Sequence, residues 1–224
     1  MIAFEDPSLV FLMETKLSKE EMTRKKYTLG FTEGLVVASI GSKGGLALLW
    51  KKYVMVDIQT FGPWHIDVEV GGTDGSGKWR FTRFYGQPDM SKREETWWIL
   101  ERLGTSNSLP WWCIGDYNEI LSDAEKLGGN LRAPKQMERF RDAMNRCRFR
   151  DLGYVGPQFS WNKTFANGDS WWVRLDRTLA TPVWYSCFAN AKLCHLSTTT
   201  SDHCMLALRW SQSEKRRICG CETF

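Results

Sequence analysis

A series of short apolar runs separated by glycine-rich turns occupies most of the first 85 residues. The separators include GSKGG at 41–45 and GGTDGSG at 71–77, and both are typical of turns. The runs cover residues 34–40, 45–50, 54–60, 64–70 and 79–85. Apolar runs of this length with such turns between them predict antiparallel hairpins, so we expect this part of the chain to form β-sheet.

Helical patterns interrupt the strands. Ser18 followed by Glu21 forms a capping box and predicts a helix N-terminus. Residues 91–103 and 134–147 have helical periodicity, and a short helical turn is expected near 182–187. Further strand-like runs cover residues 10–13, 111–114, 159–161, 171–179, 191–196 and 204–210. The pattern predicts an α+β fold of two packed, mainly antiparallel β-sheets flanked by helices, as one domain over residues 1–211 with a basic, disordered tail at 212–224.

The composition excludes several classes of protein. The 224 residues are 42% hydrophobic and 25% charged, in the ordinary globular range. No apolar run approaches the ~18 residues of a membrane-spanning helix, and the N-terminus lacks the features of a signal peptide. The seven cysteines are odd in number and have no CxxC spacing, which argues against a disulfide scaffold or a zinc site. We therefore expect an intracellular protein of the nucleus or cytoplasm, neither secreted nor associated with a membrane.

Positive charge is concentrated in one segment. The formal net charge is only +4, yet residues 132–150 contain seven Lys or Arg against two acids. Such a segment either faces a polyanion such as nucleic acid or is the solvated face of an amphipathic helix. The sequence leaves both interpretations open.

Two polar residues follow the apolar strand at 111–114. In an extended backbone Asp116 and Asn118 would point to the same side and converge on one ligand. A carboxylate beside an amide suits the orientation of a water molecule near a metal-bound phosphate. Glycine, aspartate and asparagine also favour turns, so an ordinary turn is the alternative.

An Asp202-His203 pair precedes the last apolar strand. An imidazole beside a carboxylate could donate to charge developing on a phosphate, and a hydrogen-bonded loop histidine is the alternative. Asp176 lies within another strand-like run, where an ionised carboxylate needs a partner. Arg174 or Arg177 would make a structural pair with it, and His203 would make a catalytic one.

Glu14 ends the apolar run at 10–13. Its carboxylate oxygens suit Mg²⁺, although the position would also fit an ordinary strand end.

The order of these motifs resembles that of a known superfamily. FLMETK, RFYGQP, IGDYNEI, VRLDR and TSDHCML are similar, in order, to the motifs of the apurinic/apyrimidinic-endonuclease-like branch of the endonuclease/exonuclease/phosphatase superfamily. The segments GGLALLW, TWWILERL and PQFSWNK also fit. The closest resemblance is to the endonuclease domains of plant LINE-type non-LTR retrotransposons, and it covers roughly residues 8–210.

The resemblance implies roles for the metal and the water. Glu14 would be the main Mg²⁺ ligand, with Mn²⁺ as an alternative ion, and Asp202 would be a second acid on the metal side. Asp116 would position or deprotonate the attacking water, assisted by Asn118.

The resemblance also implies roles toward the phosphate. Tyr85 would support the phosphate or the active site, and plain packing is the alternative for a tyrosine at a strand end. Asp176 would hold the ring of His203 toward the scissile phosphate. The implied activity is that of a Mg²⁺-dependent, DNA-nicking phosphodiesterase with DNA as its partner, and no protein partner is implied. A catalytically inactive remnant that at most binds nucleic acid, and an enzyme of small phosphates or phospholipids, are the alternatives.

Both ends of the chain depart from the family pattern. The family begins with a strand ending in Trp-Asn-Cys-Arg-Gly or similar, and residues 1–7 contain no such motif. The basic C-terminal segment stops where a retrotransposon polyprotein would continue toward its reverse transcriptase. The resemblance thus predicts a four-layer α/β/β/α sandwich whose first strand is missing, an N-terminally truncated domain of retrotransposon origin.

Overall fold

The chain forms two compact units, Met1–Arg83 and Phe84–Phe224, in a computed structural model that describes residues 5–38, 45–71, 77–197 and 201–210. The predicted turns at 41–45 and 71–77 fall mostly outside these ranges, and the predicted tail at 212–224 lies wholly outside them. The two units are described in turn.

In its described residues, the first unit contains strands of two sheets and a ten-residue helix. Its elements are β1 (Leu9–Met13), α1 (Lys19–Thr28), β2 (Glu33–Val37), β3 (Leu46–Trp50), β4 (Met55–Phe61), β5 (His65–Gly71) and β6 (Trp79–Tyr85), the last of which ends two residues beyond the unit boundary. One sheet has the order β1-β3-β2 with antiparallel pairing, and β4, β5 and β6 adjoin in that order. The predicted hairpin region is therefore β-sheet.

The capping box predicted for α1 is confirmed. The backbone N–H of Glu21 donates to Ser18 Oγ over 3.2 Å, and the backbone N–H of Ser18 donates to Glu21 Oε2 over 2.9 Å. The helix buries Met22 against Phe31, Ala47 and Leu49. This contact packs α1 on the three-stranded sheet.

The second unit contains the remaining strands and helices. Its elements are β7 (Trp111–Asp116), β8 (Lys126–Leu127), β9 (Arg150–Asp151), β10 (Trp161–Thr164), β11 (Ser170–Val173), β12 (Asp176–Ala180), β13 (Lys192–Leu196) and β14 (Met205–Arg209), with α2 (Arg93–Gly104), α3 (Pro134–Arg146) and α4 (Pro182–Cys187). Strands β7, β12 and β9 adjoin in that order, β10-β11-β8 form a small sheet, and β13 pairs with β14. All the registered pairings are antiparallel.

Helices α2 and α3 cover β7 and β12. Trp97 of α2 stacks on Phe140 of α3 with ring centroids 4.8 Å apart, and Phe140 lies 5.2 Å from the ring of Tyr117, which follows β7. Leu100 and Leu179 are fully buried in the same cluster. The predicted α+β class, with mainly antiparallel sheets and flanking helices, is confirmed. Among the described residues, no helix is long and apolar enough to cross a membrane.

The predicted continuous strand over 171–179 is wrong, because the chain breaks between β11 and β12. At the break Arg174 Nη1 donates to Glu125 Oε1 over 2.8 Å, and its Nη2 donates to Asp151 Oδ1 over 2.8 Å. Because Arg174 is bonded to two acids from distant segments, the backbone at Arg174 does not continue the strand from β11 into β12.

Three of the seven cations in the basic segment at 132–150 form ion pairs inside the unit. On α3, Arg139 bonds both carboxylate oxygens of Glu94, and Arg146 bonds Glu101 over 2.8 Å. Arg132 lies 2.8 Å from the buried carboxylate of Glu119. These three pairs give part of the segment a structural role and do not decide between the two interpretations, a surface facing a polyanion and the solvated face of an amphipathic helix.

Candidate active site

Two buried carboxylates face each other across β7 and β12. Asp116 is the last residue of β7, Asp176 is the first of β12, and the two are directly paired in the ladder. They are only 2% and 1% exposed. Like charges opposite one another in a sheet are destabilising, so this position needs a cation or strong hydrogen-bond donors.

Asn118 supplies two of those donors to Asp116. Its backbone N–H donates to Asp116 Oδ1 over 2.8 Å, and its Nδ2 donates to Asp116 Oδ2 over 3.2 Å and to the Gly86 carbonyl over 2.9 Å. The backbone of Asn118 is left-handed, with φ of 53°. The extended backbone assumed from the sequence therefore ends at Asp116, and it is a tight turn that brings the two side chains together.

His203 supplies the donor to Asp176. Its Nδ1 lies 2.8 Å from Asp176 Oδ2, and its Nε2 lies 4.0 Å from Asp116 Oδ2. Of the two kinds of partner left open for Asp176, the structure therefore shows the histidine. Within the described ranges, Asp116, Asp176 and His203 form the one group of acids, histidines or cysteines whose ligand atoms all lie within 4.8 Å.

The acids around His203 keep its ring protonated. Burial lowers the pKa of His203, but the charge and hydrogen bond of Asp176, followed by the charges of Asp116 and Asp202, outweigh burial and raise the pKa to about 9. At neutral pH the ring is an imidazolium whose Nδ1–H donates to Asp176. Its Nε2–H remains as a second donor on the side of Asp116.

The two arginines beside Asp176 belong to a separate buried network. Arg177 Nη2 donates to Glu125 Oε2 over 2.7 Å and Nη1 donates to Asp151 Oδ2 over 2.9 Å. Arg174 contacts the same two acids. The charges of these two arginines and two acids balance one another. The hydrogen-bond partner of the Asp176 carboxylate is therefore His203 and not an arginine.

Ser160, which was not predicted as a site residue, bonds to the backbone on both sides of the Asp176–His203 pair. Its Oγ accepts from the backbone N–H groups of Leu175 and Asp176 over 3.0 and 2.8 Å. Its carbonyl accepts from the N–H of Cys204, next to His203, over 2.7 Å. Ser160 is fully buried. The only available signal was its place in the PQFSWNK segment.

A second missed group fixes the loop opposite Asn118. Arg93 donates to the carbonyls of Gln87 and Pro88, both over 2.9 Å, and to Glu119 Oε2 over 2.6 Å. The Gly86 N–H donates to the Asp116 carbonyl over 2.8 Å. These bonds hold the loop after β6 against the turn that follows β7.

The three remaining predicted residues lie outside the Asp116–Asp176–His203 group. Tyr85 is half-buried at the end of β6. Asp202 is exposed, and its Oδ2 accepts from Trp161 Nε1 over 3.0 Å. Glu14 lies in the first unit, exposed directly after β1, with φ of 49°.

The donor set fits a cation that prefers oxygen. Carboxylate oxygens such as those of Asp116 are the ligands that Mg²⁺ and Mn²⁺ take in proteins. Nδ1 of His203 is bonded to Asp176 Oδ2 over 2.8 Å, so one of the two ring nitrogens is already occupied by that acid. Carboxylates would hold the metal, with the ring of His203 beside them.

Comparison with known proteins bears on the fold. No family model and no curated protein matches the sequence. The 3′ phosphatase NExo from Neisseria, solved with a product DNA hairpin, is 15% identical with a TM-score of 0.65, over 92% of this chain and 89% of that one. The endonuclease domain of the telomere-specific non-LTR retrotransposon TRAS1 is 14% identical with a TM-score of 0.62, over 93% of this chain and 100% of that one.

An apurinic/apyrimidinic (AP) endonuclease from Archaeoglobus fulgidus is also 14% identical with a TM-score of 0.62, over 93% of this chain and 91% of that one. Sequence identities this low show a shared fold and nothing about a shared activity. The chain thus has the fold of solved members of the endonuclease/exonuclease/phosphatase superfamily, and the finer resemblance to plant LINE-type domains stays a prediction.

Proposed function

We propose that the chain is a metal-dependent phosphodiesterase that nicks DNA. The observation that carries this proposal is the contact of the His203 imidazolium with Asp176, 2.8 Å away, beside the fixed carboxylate of Asp116. The site therefore contains both a carboxylate that can act as a base and a cationic hydrogen-bond donor. The nuclease fold supports the same reaction class.

Asp116 orients and deprotonates the attacking water. Its carboxylate cannot rotate freely, because Asn118 donates to both of its oxygens. A carboxylate held in one orientation can accept the proton of a water aligned with the scissile phosphorus, and such general-base catalysis contributes about 10²–10⁴-fold. Asn118 is a positioning residue for this step.

His203 stabilises the charge that develops on the phosphate. Its Nδ1–H is committed to Asp176, so the ring orientation is fixed and the Nε2–H is available to a phosphoryl oxygen. A preorganised cationic donor in a partly buried site stabilises the transition state more than the ground state. Asp176 therefore acts through His203.

Glu14 and Asp202 are the proposed metal-side acids. Magnesium, when bound, neutralises phosphate charge and polarises the phosphoryl group. Both residues are exposed and acidic, which suits a hard cation that keeps several waters. A retrotransposon origin is part of the same proposal, and the TRAS1 endonuclease domain supports it by its fold.

Plasmid nicking tests the proposal. Purified protein is incubated with supercoiled plasmid and Mg²⁺, beside an Asp116→Ala/His203→Ala double variant whose folding is checked by circular dichroism. We expect nicking by the wild type that EDTA abolishes and that the double variant lacks. Equal behaviour of the two proteins contradicts an enzyme. If equal behaviour comes with salt-sensitive retention of DNA, the chain is a binding remnant.

A further inference from the structure

Arg93, the first residue of α2, bonds both to the loop after β6 and to the turn after β7. It is only 5% exposed, and a buried cation is costly unless it is paired and hydrogen-bonded. Its Nε donates to the Gln87 carbonyl over 2.9 Å, its Nη2 to the Pro88 carbonyl over 2.9 Å, and its Nη1 to Glu119 Oε2 over 2.6 Å. Because a guanidinium presents its donors as a rigid fork, this one side chain fixes the loop relative to the turn.

Glu119 is the anchor for Arg93 on the side of the turn. Its side chain is fully buried. Its Oε1 lies 2.8 Å from Arg132 Nε and accepts from the backbone N–H of Ile120 over 3.0 Å, while Oε2 takes the bond from Arg93. Both carboxylate oxygens are therefore held in place. Glu119 comes three residues after Asp116, so a bond to Glu119 is a bond to the turn that carries the proposed base.

The loop meets the turn directly at Gly86. Its N–H donates to the Asp116 carbonyl over 2.8 Å, and its own carbonyl accepts from Asn118 Nδ2 over 2.9 Å. A Cβ at Gly86 would lie 2.1 Å from the Tyr117 carbonyl oxygen, so the two backbones are in direct contact. A shift of the loop would move the Gly86 carbonyl, and with it the amide of Asn118 that bonds to Asp116.

We propose that Arg93 is a positioning residue for Asp116 in the hydrolytic step. It holds the two carbonyls that follow Gly86, and the Gly86 carbonyl in turn holds Asn118. The proposal rests on the proposed function of Asp116 as the base that orients the attacking water. Misplacement of a reacting group by about 1 Å, caused by a change away from the chemistry, can slow a reaction about 10²-fold. A contact one loop away from Asp116 is therefore enough to affect the rate.

Amide hydrogen exchange of the full chain, followed by NMR, tests the placement without any reaction. Arg93→Lys keeps a positive charge beside Glu119 but loses the fork that bonds the two loop carbonyls. The N–H groups of the β7–β12 ladder serve as the reference for wider unfolding. Relative to that reference, we expect the N–H groups of Gly86 and Asn118 to exchange about 10-fold faster, because the loop opens locally.

A matched control makes the same change in the first unit. Arg80 is also fully buried, and its Nε and Nη2 donate to Asp67 over 2.8 and 2.9 Å. Arg80→Lys therefore weakens a buried arginine–carboxylate pair that does not include the loop carbonyls. We expect it to leave the relative exchange of Gly86 and Asn118 at the wild-type value.

A second variant tests the same loop if Arg93→Lys does not fold. Thr96 is fully buried, and its Oγ1 accepts from the Gln87 N–H over 3.3 Å. Thr96→Val keeps the shape of the side chain and removes this acceptor. We expect the N–H groups of Gly86 and Asn118 to exchange about threefold faster, and Thr96→Ser to restore the wild-type rates.

Nicking kinetics connect the placement to the reaction. Under single-turnover conditions with Mg²⁺, Arg93→Lys should cut supercoiled plasmid about 10²-fold more slowly, whereas its affinity for the plasmid in EDTA should equal that of the wild type. A purely structural role would lower the fraction of folded protein and leave the rate per folded molecule unchanged.

Three results would overturn the proposal. They are unchanged relative exchange of Gly86 and Asn118 in folded Arg93→Lys protein, equal acceleration in Arg80→Lys, and faster exchange combined with a wild-type nicking rate. If the wild type itself does not nick, the proposed function fails, and the exchange rates alone then decide whether Arg93 holds Asn118 against Asp116.

Discussion

Alkaline pH should destabilise the protein through His203. The pKa of His203 is about 9 in the folded chain, against 6.5 for an unperturbed histidine. Because the folded state binds this proton more tightly than the unfolded state, protonation stabilises the fold. The stabilisation is complete below the unfolded pKa of 6.5 and is lost as the pH rises through 9.

The size of this effect follows from the difference between the two pKa values. Each pKa unit corresponds to about 1.4 kcal/mol, so the difference corresponds to about 3 kcal/mol. The side chain is 22% exposed, so solvent screening makes this an upper value. Asp176 contributes the largest favourable share, through its charge and its hydrogen bond to the ring.

Urea unfolding of the wild type and of His203→Gln, followed by circular dichroism, measures the effect. The free energy of unfolding is determined from about pH 6 to about pH 10, and the variant's value is subtracted to remove the contribution of all other groups. We expect the difference to fall with rising pH, by up to about 3 kcal/mol over this range. A difference that stays flat, or that grows with pH, would refute the assignment of His203 as an imidazolium.

Three substitutions test other contacts. Ser160→Ala leaves two buried backbone N–H groups without an acceptor. We expect the free energy of unfolding in urea to fall by about 1–3 kcal/mol and nicking to slow. Ser160→Thr keeps the hydroxyl and should retain both the stability and the nicking rate. Gly86→Ala would place a Cβ 2.1 Å from the Tyr117 carbonyl oxygen, so we expect a loss of more than about 2 kcal/mol, seen as a lower melting temperature. Arg177→Met leaves only Arg174 to balance Glu125 and Asp151, so one buried negative charge loses its partner, and the free energy of unfolding in urea should fall by about 3–5 kcal/mol. A wild-type-like midpoint would contradict this.

Local chemistry made much of the fold predictable. The capping box at Ser18 and Glu21 lies within four residues and forms as expected. The predicted strand at 79–85 and the predicted helical turn at 182–187 agree with β6 and α4 at both ends. In each case the bonds or side chains that define the element are neighbours in sequence, so a short window carries the signal.

Contacts between distant segments were not predictable in this way. The break between β11 and β12 depends on Glu125 and Asp151, which lie 49 and 23 residues before Arg174. A strand pattern read over a short window contains neither acid. The continuous strand predicted there was therefore wrong.

The candidate site shows the same division. Residue type and strand position singled out the acids and the histidine as candidates, and Asp176 and His203 are in contact in the structure. Ser160 escaped notice because its role depends on accepting two N–H groups that lie 15 and 16 residues later in the sequence. The convergence of Asp116 and Asn118 was predicted from an extended backbone. In the structure it results from a turn in which Asn118 has a left-handed conformation.

The single-turnover nicking rate of His203→Ala beside the wild type, with Mg²⁺ near neutral pH, is the most direct test that Asp116, Asp176 and His203 form a hydrolytic centre. If the imidazolium stabilises the transition state, the variant should cut supercoiled plasmid about 10²–10³-fold more slowly while its circular dichroism spectrum is unchanged. A folded variant that nicks within a few-fold of the wild-type rate would contradict that role.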